Sequence, residues 1–93
     1  MKYEPGLYKF VVIGSYDVDT AIHHKELRIF NHNLTHKSQV KEGERATTAG
    51  TIGLFYSYWK LYQGHSTTLN VGCDNLVIPM LTEAFGVPYK AEG

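Results

Sequence analysis

Ninety-three residues are enough for one small domain spanning 1–93, and no linker or composition shift marks off a second. Nine Lys plus Arg balance nine Asp plus Glu, giving a formal net charge of zero. That excludes the basic surplus of a dedicated nucleic-acid binder and leaves only a local patch for phosphate contacts. Cys73 is the single cysteine, which excludes an internal disulfide framework. No apolar run approaches the roughly 18 residues of a membrane span, and the first residues lack the charged-then-apolar order of a secretory signal. A cytoplasmic protein with no membrane partner is therefore expected.

From Leu7 to Tyr16 apolar residues fall on both alternating faces, the pattern of a central strand. Asp17-Val18-Asp19-Thr20 suits a turn, and a second strand is expected from about Ala21 to Phe30. After the turn-forming Asn31-His32-Asn33, Leu34 to Lys41 alternates and predicts a third, half-exposed strand. Glu42-Gly43-Glu44 breaks that pattern and opens a predicted helix running to about Gln63, with Gly64 at its C-terminal cap. Ile52, Phe55, Tyr56, Trp59 and Tyr62 recur along it as an apolar stripe. Ala46, Gly50, Gly53 and Ser57 form a second stripe of small residues, the mark of another backbone coming close. Thr67 to Cys73 reads as a fourth strand. Asp74 or Asn75 then caps a last helix that carries Pro79 near its first turn and stops at Gly86 and Pro88.

The fold class expected from this order is α+β, as β-β-β-α-β-α: a mixed four-stranded sheet of order 3-2-1-4 with helices packed on it. A right-handed helical crossover would make the third and fourth strands parallel. Connectivity then gathers Asp17, Asp19, Glu42, Glu44 and Asp74 at one edge of the sheet. Such a carboxylate cluster suits Mg²⁺ or Mn²⁺, which prefer oxygen ligands and can activate water for phosphodiester cleavage. Each of these residues also has a plainer use: Asp17 and Asp19 in a turn, Asp74 as a helix cap, Glu42 and Glu44 at a helix N-terminus.

The stretch Glu44-Arg45-Ala46-Thr47-Thr48-Ala49-Gly50, and the strand end Gly72-Cys73-Asp74-Asn75, resemble the ribonuclease H-like fold. They are most similar to the RNase H domains of retroelements, with an Arg-Ala-Glu helix start and a Cys-Asp-Asn strand end. The resemblance spans about residues 7–85, short of that family's last strand and helix. It implies a two-metal site with Asp74 on the fourth strand, Asp17 or Asp19 on the first, and Glu44 nearest the helix position. Thr47 stands where the helix carboxylate belongs. The implied domain acts on or binds nucleic acid and is catalytically weak or inactive.

His23, His24, His32, His36 and His65 with Cys73 raise the question of zinc. On an extended chain His24 and His32 lie about 25 Å apart, and His32 and His36 about 13 Å, too far to share one ion. Surface or edge-strand histidines are the expected reading, and Cys73 is expected in the core. The competing functional class is a non-catalytic binding module, such as a small phage-type inhibitor or ligand-sequestering protein acting on a host partner. Small size, neutral charge and seven tyrosines favour it, because tyrosine offers wide contact area with a polar tip. A homodimeric structural protein is a third expectation.

Overall fold

The structure, a computed structural model, describes residues 3–17, 19–66, 69, 71–73 and 75–90, with 15–17, 22–24, 65, 66 and 71 described by their backbone alone. The strands are β1 (Gly6–Asp17), β2 (Ile22–Asn31), β3 (Arg45–Leu54), β4 (Trp59–Gln63), β5 (His65–Ser66) and β6 (Val71–Gly72), and the helix is α1 (Val77–Phe85). A single 3₁₀ turn at Lys37–Gln39 lies between β2 and β3. The main sheet has four strands in the order β2-β1-β3-β4, each pair antiparallel, and β5 and β6 form a separate two-stranded ribbon. The α+β class holds; the strand order and the parallel crossover do not.

β1 is the central strand that its two apolar faces predict. It pairs with β2 from Tyr8↔Asn31 to Asp17↔Ile22 and with β3 from Gly6↔Leu54 to Gly14↔Arg45. The turn after it includes Ala21 in the left-handed region, at φ 55°. After β2, Asn31 closes an Asx turn, its Oδ1 accepting the Asn33 N–H at 2.9 Å.

The strand expected over 34–41 is instead an irregular crossing with one 3₁₀ turn. Thr35 explains it: its hydroxyl accepts the Ser38 N–H at 3.2 Å, and its carbonyl accepts the Ser38 hydroxyl at 2.6 Å. Such local bonds offer the backbone an alternative to a ladder, and alternation of polarity alone cannot reveal them.

The helix expected from Glu44 to Gln63 is the β3–β4 hairpin, closed by Phe55 N–H to Tyr58 O at 2.8 Å. Two register shifts, at Val12/Ile13 against β3 and at Thr51/Ile52 against β4, leave Thr47 and Tyr62 as the extra residues of β-bulges. Each bulge interrupts the period of two, so the apolar spacing mimics a helix. Thr47, Thr48, Thr51 and Ile52 are β-branched and, with two glycines, favour the extended chain over the helix.

Each face of the sheet carries an apolar cluster. On one, Phe10 and Val12 of β1, Ile52 and Leu54 of β3 and Trp59 of β4 pack against Val77, Leu81 and Phe85 of α1. The Trp59 indole N–H donates to the Thr82 hydroxyl at 3.1 Å. On the other face Val11, Ile13, Phe30 and Ala49 form a second cluster, with Val40, Ala46 and Leu69 packed on it. α1 ends at Gly86 in the left-handed conformation, φ 73°, with its N–H on Thr82 O, as its sequence predicts, but it starts from Leu76 with no side-chain cap, so Asn75 is not the cap expected. No helix among the described residues is long and apolar enough to cross a membrane.

Candidate functional site

The parallel crossover expected to gather the carboxylates at one edge is absent from the antiparallel main sheet. Asp17 is the last residue of β1, with only its backbone described, and Asp19 is exposed in the turn beyond it. Glu42 is exposed in a turn just before β3. Asp74, as strand end, helix cap or metal ligand, lies outside the described residues. The expected strand before it survives among them only as the Val71–Gly72 end of the ribbon, where the Thr48 hydroxyl donates to Gly72 O at 3.2 Å. No three His, Cys, Asp or Glu side chains among the described residues come together as metal ligands.

Glu44 has a different partner from the one expected. Its two oxygens accept from the Arg28 guanidinium at 2.7 and 2.5 Å, and Oε1 also accepts the Lys41 N–H at 2.7 Å. Arg28 in turn donates to Gln39 O at 2.7 Å and to Glu26 at 2.9 Å. These bonds, Arg28 first and the Lys41 N–H second, push the Glu44 carboxyl down to about 2. The same two glutamates, Glu44 first, raise the Arg28 pKa above its already high ordinary value. A carboxylate engaged this fully is a clasp holding the 37–44 segment on β2 rather than an open metal ligand. Thr47, expected on a helix, is the exposed bulge residue of β3, its hydroxyl donating to Val12 O at 3.3 Å.

His36 is buried at 5% exposure, unlike the surface histidine expected. Its Nε2 lies 2.8 Å from Gly50 O, and since a carbonyl can only accept, that nitrogen carries the proton. The ring meets Phe30 edge-on at 5.7 Å. Burial lowers its pKa, the hydrogen bond to Gly50 opposes that, and nearby Lys9 lowers it further.

A second group of residues makes a surface that faces outward. Leu7 of β1 pairs with Gly53 of β3, and Gly53 pairs with Lys60 of β4, so the three share one face of the sheet. A Cβ on Gly53 would run into the Tyr62 ring, so the glycine lets that ring lie close against the sheet. Pro5, Gly6, Leu7, Gly53, Leu54, Phe55 and Tyr62 line a groove of about 330 Å³ there. Leu7 and Tyr62 keep 47% and 49% of their surface exposed, and Tyr56 at the hairpin tip keeps 83%. Phe55 and Tyr58 stack at 4.6 Å across the turn. The Lys60 ammonium sits 4.8 Å from the Tyr62 ring centre and 5.9 Å from that of Phe55. Lys90 lies 5.0 Å from the Tyr58 ring.

The groove is thus apolar and aromatic with cations at its margin, and its lining holds no nucleophile beside a base. The chemistry available to it is stacking and apolar contact from the rings and attraction of negative charge by the lysines. The apolar stripe expected to be core divides accordingly. Ile52 and Trp59 are buried, whereas Tyr56 and Tyr62 turn outward. The signal in the sequence was the surplus of tyrosine without a matching surplus of charge. The chain matches no protein-family model, no curated protein and no solved structure.

Proposed function

We propose that this chain is a non-catalytic binding module, and that its working surface is the groove between the start of β1 and the β3–β4 hairpin. The ligand class is a flat apolar or aromatic group carrying negative charge, either free or displayed by a partner. The observation that carries this reading is the Tyr62 ring laid over Gly53 beside Leu7 and Phe55, with Lys60 against two of the rings. Small-molecule sites are typically apolar concavities of about 300–1,000 Å³ with a few polar groups at their margin, and the groove falls within that range. Titration of the ¹⁵N-labelled chain with indole-3-acetate, adenosine monophosphate and neutral indole tests it. The two anions should shift the amides of Leu7, Gly53, Phe55 and Tyr62, and neutral indole should do so more weakly. Absence of shifts at millimolar probe, or shifts spread over the whole chain, overturns the reading.

A second reading keeps the RNase H-like expectation, as a domain that binds nucleic acid through Mg²⁺ or Mn²⁺ at its acidic end with weak or no cleavage. One observation favours it: Gly14 pairs with Arg45, so the β1–β2 turn bearing Asp17 and Asp19 shares an end of the sheet with the turn before β3 that bears the exposed Glu42. Calorimetric titration with Mn²⁺, together with melting curves in Mn²⁺ and in chelator, tests it. Heat and a raised Tm that Asp74→Asn reduces would support it. Silence at millimolar metal leaves the groove as the working surface.

A further inference from the structure

We propose that β2 is a self-recognition edge, and that two copies of this chain pair antiparallel through it about a two-fold axis at Leu27. β2 is the ten-residue outer strand of the sheet, and among the described residues no backbone hydrogen bond reaches its outer side along 22–30. The opposite edge differs, because residues 88–90 cover the start of β4. There the Trp59 N–H donates to Pro88 O at 3.0 Å, and the Lys90 N–H donates to Trp59 O at 2.9 Å. A long edge without proline or a bulge is a ready template for another strand. β2 holds no proline, and its register with β1 runs without a shift.

The residues of β2 select the occupant and the register. Directly opposed residues of an antiparallel pair lie on the same face, so a two-fold axis normal to a continuous sheet must pass through a residue position. An axis at Lys25, Glu26 or Arg28 sets identical charges against each other. At Leu27 it sets Leu27 against its own copy and Glu26 against Arg28 of the other chain, twice. The faces agree with that pairing. Glu26 and Arg28 stand opposite Ile13 and Val11, on one face, and Leu27 and Ile29 stand opposite Val12 and Phe10, on the other. Leu27 and Ile29 are half-buried at the rim of the cluster under α1, so the second copy extends that apolar row. Glu26 already binds Arg28 within its own chain and remains 64% exposed, so the partner's Glu26 takes over an existing bond.

Sedimentation equilibrium of the full chain across micromolar to millimolar concentration tests the proposal, with far-UV CD confirming that each variant folds. The wild type should dimerise, and Glu26→Lys, which sets like charges opposed twice, should weaken the dimer about tenfold or more. In a Cys73→Ser background, Leu27→Cys should oxidise to a covalent dimer, whereas Lys25→Cys should not, since the two copies of residue 25 stand about 13 Å apart in this register. A monomer at every concentration, a dimer indifferent to Glu26→Lys, or cross-linking at 25 in place of 27 would overturn it.

Discussion

Gly50 and Gly53 stand on opposite faces of β3, and what their missing side chains admit differs. A Cβ on Gly50 meets the Gln63 carbonyl and the buried Phe10 ring, neither of which can move without disturbing the sheet. A Cβ on Gly53 meets the Tyr62 ring, which is half-exposed and free to swing out. Gly50→Ala should therefore cost about 3 kcal/mol in urea unfolding, at the upper end for an overpacked core. Gly53→Ala should cost under about 1 kcal/mol yet abolish the amide shifts induced by indole-3-acetate, because the groove loses its ring. Equal loss of stability at the two positions would contradict this assignment. His36 makes a second residue-scale case. Its folded pKa lies below the ordinary 6.5, so the folded state binds fewer protons than the unfolded chain as pH falls through that value. Its contribution is fully present above about 6.5 and declines below it. Urea midpoints should fall between pH 7.5 and 5.5, and His36→Gln should flatten that interval.

At the scale of elements, the segment from Leu34 to Glu44 has little regular structure and is held by named bonds. The Lys9 ammonium donates to Leu34 O at 2.9 Å, and the Arg28 clasp grips Gln39 and Glu44. Glu44 titrates at about 2 in the folded state against 4.5 ordinarily. Its contribution is thus present above about 4.5 and is lost as pH falls toward 2. Glu44→Gln should lower stability at neutral pH and remove that acid step, as melting curves from pH 5 to 2 would register. An unchanged acid profile would mean that the clasp contributes nothing net, as many exposed pairs do. The sequence made β1, β2 and α1 legible because each carries a strong local signal: two-sided alternation, an Asx turn, and a glycine stop. It misread β3–β4 because two bulges shift the apolar phase, and it misread 34–41 because Thr35 and Ser38 bond locally within an alternating run.

Over the whole molecule, one sheet separates two apolar clusters, with α1 covering one and the 34–44 crossing covering part of the other. Trp59 is fully buried at the junction of β4, α1 and the 88–90 strap. Trp59→Ala should cost about 3–5 kcal/mol, the range for a large core aromatic. Because both clusters share β1 and β3, the wild type should unfold in a single transition, with Trp59 fluorescence and far-UV CD giving one midpoint in urea. A loss under about 1 kcal/mol, or two midpoints, would mean that the sheet does not couple its faces.

Local chemistry in the sequence determined the central strand, its first partner, the Asx turn, the final helix and its glycine stop, since each depends on residues within a few positions of one another. Tertiary structure alone decided that Glu44 serves Arg28, that His36 is buried beneath Phe30, and that half of the aromatic stripe faces outward. Those outcomes depend on register across the sheet, where a single inserted residue at Thr47 or Tyr62 changes which side chains meet, and spacing along the chain does not record it.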